Sequence, residues 1–412
     1  MTDRFHHRVR AVLACLVLAF FSASAVAAPP RADASFQTGI EVLLHDRLDL
    51  IAGKNVGLIT NPTGVNDQLV SDIDLLANAP GVHLVALFGP EHGIRGSHQA
   101  GAHVGTYTDP VTGVPVYSLY GDTRQPTPAM LENVDVLVFD IQAVGSRFYT
   151  YLYTMADAMK AAARADIPIL VLDRPNPIGG IKVQGPVLDP DYASFVGQYP
   201  IALRYGMTIG ELARLFNNEF DIHADLTVVK MRGWKRPMYY RDTPLPWVMP
   251  SPNMPTQTTA LVYPGMGLVE GTNVSEGRGT TRPFELTGAP WINATELANA
   301  LNDKRLAGVR FRPVHFTPTF SKFEGKLCNG VQVHVMDRTR FNPVVVGLSV
   351  IKTIHDLYPK HFAFRKSHFD HLIGNDWIRQ GIKNGMSVAA MQKRWQKDLA
   401  RFKNIRARYL LY

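Results

Sequence analysis

Apolar and polar positions alternate in a regular way between residues 36 and about 230. Short runs rich in Val, Ile and Leu predict strands, and the longer segments between them, apolar on a helical period, predict helices. Near-continuous apolar strands separated by helices are typical of a parallel sheet covered on both faces. We therefore expect an α/β fold in which helices 148–165 and 208–220 cover the sheet. The predicted strands are 55–60, 83–89, 114–120, 134–142, 167–173 and 225–231, and a further helix is predicted at 68–79.

The pattern changes after residue 240. A proline-rich stretch at 244–257 predicts an ordered connector, and a segment rich in Gly, Thr and charged residues follows at 268–285. Beyond it we expect a smaller α/β domain over 241–412, next to a larger domain over 36–240. Its predicted elements are helices 294–303, 343–357 and 387–404 and strands 309–316 and 330–337.

The N-terminal 28 residues have the layout of a secretory signal peptide. Arginines 4, 8 and 10 precede an apolar run at 11–21, and small residues at 22–28 offer cleavage sites. The run is short for a helix that must cross a bilayer with about 20 residues. We predict cleavage after Ala27 or Ala28, export to the periplasm or beyond, and no membrane anchor in the mature chain.

Charge and cysteine content narrow the class of protein further. The formal net charge is +8, and removal of three arginines and one aspartate with residues 1–28 leaves about +6. This balance suits an anionic partner such as the cell wall, whereas the lack of Lys/Arg runs and RNA-binding motifs predicts no nucleic-acid partner. Only Cys328 remains after processing, so no intramolecular disulfide can form.

Polar residues follow four of the predicted strands. Parallel sheets bind ligands outside the carboxyl ends of their strands, and here those ends fall at 60–62, 89–92, 140–142 and 173–176. We expect them to form one ligand-binding edge. The substrate-binding candidates from this argument are Asn61, Asp140, Gln142, Asp173, Arg174 and Asn176.

The turn GPEHGIRG at 89–96 is the strongest candidate for chemistry. It places Glu91, His92 and Arg95 directly after a strand, between glycines that permit a tight turn. A solvated polar turn is the alternative, but three ionisable groups in five residues favour function. We expect Glu91 to be catalytic, with His92 and Arg95 beside it in the same site.

Two further segments carry candidate ligand-binding groups. In 144–154, Arg147 and Tyr149 are expected to line a sugar or anion site. In 270–285, Glu270 is a candidate carboxylate, and the loop is either a functional lid or a solvated excursion. Its other candidates are Asn273 for an acetamido group and Arg278 and Arg282 for anions.

Common cofactor and nucleophile motifs are missing from the sequence. There is no G-x-G-x-x-G after the first strand, no P-loop, no H-E-x-x-H and no G-x-S-x-G. We therefore predict no cofactor and no bound metal.

Taken together and in order, the motifs resemble the NamZ-type exo-β-N-acetylmuramidases. The resemblance covers about 39–412 and rests on GLITNPTG, ALFGPEHGIRG, VLVFDIQ, VGSRFYTY, LDRPNPIGG, MPSPNMPT, YPG, EGTNVSEGRGTTRPFE and GAPW. It implies a glycoside hydrolase that removes N-acetylmuramic acid from the non-reducing end of peptidoglycan fragments. It also implies a Rossmann-like domain that faces a smaller C-terminal domain across the active-site cleft, with Glu91 as a catalytic glutamate.

Two positions depart from that family pattern. The family commonly has Asp at the position of Ala143 and Glu at the position of Gln184. Gln184 can bind substrate through hydrogen bonds but cannot act as a base. Either the second carboxylate lies elsewhere, with Glu270 the first choice, or the substrate's acetamido group assists, or activity is reduced.

The lactyl carboxylate of muramic acid calls for a cation, and Arg147, Arg278 and Arg282 are the candidates. Two other functions stay open at this point. One is a non-catalytic protein that binds peptidoglycan fragments, and the other is a metal-dependent hydrolase of the cell wall.

Overall fold

A seven-stranded sheet lies at the centre of the N-terminal half. The computed structural model of the chain describes residues 36–95, 105–121 and 123–412. The strand order is β3-β4-β2-β1-β5-β6-β9, and every neighbouring pair is parallel except β3 with β4. The strands are β1 (Asn55–Thr60), β2 (His83–Gly89), β3 (Tyr107–Thr108), β4 (Pro115–Ser118), β5 (Val136–Asp140), β6 (Ile169–Leu172) and β9 (Leu226–Val229). The predicted α/β class with a mostly parallel sheet is confirmed.

Helices cover both faces of this sheet, because alternate residues of its strands point to opposite faces and both sets are apolar. In β5, Val136 and Val138 pack in one hydrophobic cluster, and Leu137 and Phe139 pack in the other. Helices α4 (Tyr151–Ala165) and α5 (Ile209–Glu219) lie in the cluster on the Phe139 side. The opposite face is covered by α1 (Gly39–Asp46) and α2 (Asp72–Ala77).

The expectation that 148–165 and 208–220 cover both faces was therefore wrong, because both helices pack on the same face. Helix α2 is also shorter than the predicted 68–79. The side chain of Asn66 accepts hydrogen bonds from the backbone N–H groups of Gln68 and Val70. This local turn competes with helix formation ahead of Ser71, whose side chain caps α2. A capping box between Thr208 and Glu211 begins α5.

A second, smaller sheet lies in the C-terminal half. It is antiparallel, with the order β10-β12-β11, and a separate hairpin pairs β7 with β8. Helix α6 (Gln257–Met266), which the proline-rich sequence did not predict, crosses α8 (Pro343–Leu357). A Cβ atom at Gly265 would lie 1.7 Å from the carbonyl oxygen of Pro343, so only glycine permits this crossing. The remaining strands are β7 (Gln184–Val187), β8 (Ala202–Arg204), β10 (Leu286–Ala289), β11 (Val309–Phe316) and β12 (Cys328–Val335).

The last part of the chain is helical but contains more helices than expected. The predicted single helix 387–404 is two helices, separated at Trp395, whose side chain is buried in the core. The remaining helices are α3 (Pro128–Leu131), α7 (Ala294–Asn302), α9 (Lys366–Ile373), α10 (Trp377–Lys383), α11 (Val388–Arg394) and α12 (Gln396–Ala407). One hydrophobic cluster extends from the α4 face of the large sheet through Val331 and Leu348 to Phe402, so the two sheets share a continuous core.

Some predicted features lie outside the described residues. They are the signal peptide at 1–28 and Gly96, the last residue of the GPEHGIRG turn. In the part of the chain that is described, no helix combines the length and the apolar character needed to cross a bilayer.

Candidate active site

A cavity of about 230 Å³ joins residues from the two halves of the chain. This is slightly below the range of about 300–1,000 Å³ that is usual for ligand pockets. One wall comes from the end of β2 and the start of α4, and the other comes from α6 and the loop after it. The lining comprises Glu91, His92, Tyr120, Phe148, Tyr149, Thr150, Tyr151, Phe195, Val196, Ser251, Asn253, Met254, Tyr263, Glu270, Arg278, Phe284, His368 and Leu372.

Glu91 reaches this cavity because the chain turns sharply after β2. The N–H of Gly93 donates to the carbonyl of Pro90 at 2.9 Å, and both His92 and Gly93 have positive φ angles, 78° and 75°. Glu91 is half-buried. Its carboxyl group accepts a long hydrogen bond from the hydroxyl of Thr150 at 3.5 Å, and the hydroxyl of Tyr120 is a second hydrogen-bond partner. These two hydroxyls hold the carboxyl group at the cavity wall, where a ligand can reach it.

Glu270 enters the same cavity from the C-terminal half. It lies on the 3-10 helix Gly267–Gly271, which continues directly from α6. The guanidinium of Arg278 donates to one of its carboxylate oxygens, with Nε at 2.8 Å and Nη2 at 2.6 Å. Burial nevertheless raises the pKa of Glu270, with Glu276 acting in the same direction and Arg278 opposing both. The ion pair with Arg278 counteracts this rise and stabilises the carboxylate form of Glu270.

A lysine fixes the segment that carries Glu270. The ammonium of Lys322 donates to the backbone carbonyls of Val269, Glu270 and Val274 at 2.9–3.2 Å, and it lies 3.0 Å from a carboxylate oxygen of Glu276. Burial lowers the pKa of Lys322, although Glu276 opposes the shift. The four side chains of Glu270, Glu276, Arg278 and Lys322 form a charge-balanced network beside the cavity.

Aromatic rings form the wall between the two carboxyl groups. Tyr149 packs edge-on against Tyr151 and Tyr263, with ring centroids 5.0 Å and 5.9 Å apart, and Tyr263 packs on Phe284 at 4.7 Å. Burial raises the pKa of Tyr149 and of Tyr263, and the charge of Glu91 raises each further. Both hydroxyls therefore keep their protons at neutral pH and can donate hydrogen bonds to a ligand.

Comparison with known proteins identifies the family. Models described as "Exo-beta-N-acetylmuramidase NamZ, N-terminal" and "C-terminal" match residues 56–258 and 261–412. A curated relative from Bacillus subtilis (strain 168), named "Peptidoglycan beta-N-acetylmuramidase NamZ", is 61% identical over 377 residues, 91% of each chain. The chain belongs to the NamZ exo-β-N-acetylmuramidase family.

Two solved structures support this assignment of the NamZ fold. Both are DUF1343 family proteins from Bacteroides fragilis NCTC 9343. One is 43% identical with a TM-score of 0.86, and the other is 33% identical with a TM-score of 0.73. Each match covers 92% of this chain and 99% of the solved chain. The family resemblance of the sequence motifs is therefore confirmed.

The NamZ cavity brings together some of the residues predicted from sequence and adds others. The predicted members that line it are Glu91, His92, Tyr149, Glu270 and Arg278. Phe148 and Tyr151 also line it. The motif MPSPNMPT could have indicated Ser251 and Asn253, whereas no sequence signal marked His368. The other lining residues that the sequence argument missed include Tyr120, Phe195 and Tyr263.

The other strand ends lie on the predicted edge but pair with each other rather than lining the cavity. Arg174 is buried and forms an ion pair with Asp140, with Nη2 at 2.8 Å from Oδ2. The side-chain oxygen of Asn61 accepts from the backbone N–H and hydroxyl of Thr63. The amide of Gln142 donates to the carbonyls of Ala143 and Pro175. None of these residues lines the described cavity, so their predicted role in substrate binding stays a prediction.

The residues that follow β6 likewise form hydrogen bonds within the protein. The carboxylate of Asp173 accepts from the N–H of Gly210 and from the hydroxyls of Thr208 and Tyr412, each at 2.8 Å. Burial, with Glu211 nearby, raises the pKa of Asp173 to about 7. Asn176 closes its own turn by donating to the carbonyl of Met207 and accepting from Ile178. Neither residue lines the cavity, contrary to expectation.

Four other predicted ligand-binding residues also form ion pairs or hydrogen bonds with groups of the protein. Arg95 pairs with Asp109 through two bonds of 3.0 Å, and Arg282 pairs with Glu285. Asn273 exchanges hydrogen bonds with the backbone of His361 and Ala363. Arg147 is fully buried and donates only to backbone carbonyls, those of Pro186, Ile201 and Leu372.

The departure at Gln184 has a structural explanation. Gln184 lies on the β7–β8 hairpin and outside the cavity lining, where its side-chain oxygen accepts from Nη1 of buried Arg204 at 2.9 Å. The position therefore supplies no carboxylate to the cavity. Among the described residues, Arg204 forms no ion pair, and burial lowers its pKa.

We predict that Gln184→Glu stabilises the protein without changing its activity, because a carboxylate would neutralise the buried guanidinium of Arg204. The free energy of unfolding in urea should rise by about 1 kcal/mol. Gln68→Glu, on an exposed glutamine, is the control and should leave the stability unchanged. A large gain of activity in Gln184→Glu would contradict the structural role.

Within residues 36–95, 105–121 and 123–412, no three His, Cys, Asp or Glu side chains cluster in a way that could hold a metal ion.

Proposed function

We propose that the chain is an exo-acting β-N-acetylmuramidase that hydrolyses N-acetylmuramic acid from the non-reducing end of peptidoglycan fragments. Membership of the NamZ family supports this activity. The observation that carries it is the meeting of Glu91 and Glu270, one from each half of the chain, in a single cavity walled by aromatic rings. Glycosidases generally place two carboxyl groups on either side of the bond they cleave.

In this mechanism Glu91 protonates the glycosidic oxygen as the bond to the anomeric carbon breaks. Water supplies the hydroxyl group that ends on that carbon, and Glu270 is the carboxyl group that activates the water or attacks the carbon itself. The protonated hydroxyls of Tyr149 and Tyr263 can donate to oxygens of the sugar, and the rings of Phe148 and Phe284 exclude water.

Turnover by purified protein tests this proposal. Chromogenic β-N-acetylmuramide and reducing-end-labelled disaccharides and tetrasaccharides would be the substrates, with product analysis over time. Exo-hydrolysis releases one N-acetylmuramic acid from the non-reducing end before any larger product forms. Binding of these saccharides without any turnover would overturn the proposal and favour a fragment-binding protein. Loss of turnover with chelators and its return with a metal would favour a metal-dependent hydrolase.

A second prediction concerns Glu270. Glu270→Gln removes the acidic group while the amide oxygen can still accept from Arg278, so kcat should fall by about 10²-fold or more with little change in the melting temperature. Steady-state kinetics on the muramide measure this. Glu296→Gln, on the surface of α7, is the control and should retain full activity. A kcat for Glu270→Gln within threefold of wild type would leave the second carboxylate unassigned.

The predicted signal peptide supports export, so we also propose that the mature protein acts in the periplasm or outside the cell, where peptidoglycan fragments form. N-terminal sequencing of the protein recovered from the native host tests this. A new N-terminus at Ala28 or Pro29 in the extracytoplasmic fraction is expected, and an intact Met1 in the cytoplasmic fraction would contradict it.

A further inference from the structure

The first turn of α9 borders the catalytic cavity. His368 lines the cavity and is exposed at its rim, and Arg365 and Lys366 lie just before it, both exposed. None of these residues was identified from the sequence. His368 lines the same cavity as Glu270, although the two residues are far apart along the chain.

This rim is fixed to the segment that carries Glu270. The N–H of Arg365 donates to the carbonyl of Gly271 at 2.8 Å, and Phe364 pairs with Thr272 in an antiparallel bridge. Gly271 packs so closely on α9 that a Cβ atom there would lie 2.5 Å from the Cα of Phe369. His368 is therefore held at a defined position relative to Glu270.

The charges at the rim favour an anion. Arg278 and Lys322 already balance Glu270 and Glu276, so Arg365 adds a positive charge that is not offset. Neither Arg365 nor Lys366 forms an ion pair with a carboxylate in the part of the chain that the structure describes. Burial lowers the pKa of His368, and Arg365, Lys322 and His371 lower it further, opposed by Glu276. A neutral imidazole can donate its ring N–H to an anion in this positive field.

The other candidate cations near the cavity are already engaged. Arg147 donates to three carbonyls, and Arg282 pairs with Glu285. Arg278 lines the cavity but faces both Glu270 and Glu276. A carboxylate bound at Arg278 would have to compete with two carboxylates that the protein itself supplies.

We propose that His368 and Arg365 form a carboxylate subsite that binds the 3-O-lactyl group of the N-acetylmuramic acid in the cavity. This inference rests on the proposed function and adds the residues that distinguish muramic acid from N-acetylglucosamine, which lacks the lactyl group. His368 donates a hydrogen bond to the carboxylate, and the guanidinium of Arg365 supplies the charge. Both act in binding rather than in the chemical step.

The test compares His368→Ala, His368→Gln and Arg365→Ala with wild type, and His223→Ala, an exposed surface histidine, is the matched control. Steady-state kinetics use a chromogenic β-N-acetylmuramide. Isothermal titration measures the Kd of free N-acetylmuramic acid, of N-acetylglucosamine, and of N-acetylmuramic acid with L-alanine on its lactyl group. In the last ligand the lactyl carboxyl is an amide, and the free carboxylate belongs to the amino acid.

We expect His368→Ala and Arg365→Ala to raise the KM for the muramide and the Kd for N-acetylmuramic acid about tenfold, with kcat within about twofold of wild type. His368→Gln should recover part of this affinity because its amide also donates an N–H. The Kd for N-acetylglucosamine and the constants of His223→Ala should not change.

Three results would overturn the subsite. The first is an unchanged KM in both alanine variants, and the second is an equal loss of affinity for N-acetylmuramic acid and N-acetylglucosamine. The third is a loss of affinity confined to the alanine-bearing ligand, which would assign the rim to a peptide carboxylate.

Failure of the proposed function is a separate outcome. Wild type would then bind N-acetylmuramic acid through His368 without hydrolysing the muramide, whereas hydrolysis that does not depend on His368 leaves the function intact and removes the subsite.

Discussion

Glu91→Gln should abolish release of N-acetylmuramic acid from a chromogenic muramide. Loss of a general acid typically lowers the rate by about 10²–10⁴-fold, and the fold should remain intact. The reason is local: the carboxyl group of Glu91 is half-buried in the cavity wall, with the hydroxyl of Tyr120 beside it, and accepts a long hydrogen bond from Thr150. Glutamine keeps the shape and the capacity to accept that bond but has no proton to give to the leaving oxygen.

The informative control for this variant is Glu132→Gln, an exposed glutamate outside the cavity lining. It should match wild type in kcat and in melting temperature. The activated phenol of a chromogenic muramide needs less help from an acid than a sugar hydroxyl does, so the deficit of Glu91→Gln should be larger still on a disaccharide, whose leaving group is poor. If Glu91→Gln keeps more than a tenth of wild-type kcat on poor leaving groups, Glu91 is not the acid.

Arg147→Ala should be the most destabilising single substitution that we predict. The guanidinium of Arg147 is fully buried and donates to Pro186, Ile201 and Leu372 at 2.8–3.3 Å. Truncation leaves those carbonyls without a partner and opens a cavity, so the free energy of unfolding should fall by about 3–5 kcal/mol. Burial lowers the pKa of Arg147 to about 10, so the group stays charged at neutral pH.

Urea denaturation of the variants measures this effect. Arg164→Ala, on the exposed side of α4, is the control and should change the stability by less than about 0.5 kcal/mol. Arg147→Lys keeps the charge but has no planar fork to reach three carbonyls, so its stability should lie between those of Arg147→Ala and wild type. A loss below 1 kcal/mol in Arg147→Ala would contradict the structural role and reopen the anion-binding one.

Arg147 also illustrates the limit of reasoning from sequence. From the sequence alone, an arginine beside tyrosines at the start of a helix is as consistent with a sugar-binding site as with a structural role. Its sequence neighbours Phe148 and Tyr149 do line the cavity. Arg147 itself points the other way, because its carbonyl partners belong to the β7–β8 hairpin and to α9. Those partners lie far along the chain, and no local pattern indicates them.

The polar residues at the strand ends are a second example of what the sequence could not decide. The apolar period placed them at one edge of the sheet, and the edge exists, with Thr60 of β1 in register with Asp140 of β5. Asp140 and Arg174 nevertheless neutralise each other because buried charges need partners. A polar residue at the ligand-binding edge is therefore a weak indication of function by itself. A polar side chain that the protein leaves accessible is a stronger indication, and Glu91 is such a residue.

The sequence by itself determined the parallel sheet, the turn that presents Glu91 and the family to which the chain belongs. These follow from local periodicity, from glycine and proline positions, and from motifs that occur in order. Only the tertiary structure decided that Glu270 faces the same cavity as Glu91, that Gln184 does not, and that His368 stands at the rim. The physical reason is that the role of a charged side chain depends on which groups compensate it, and those groups come from distant segments that only the packed core brings together.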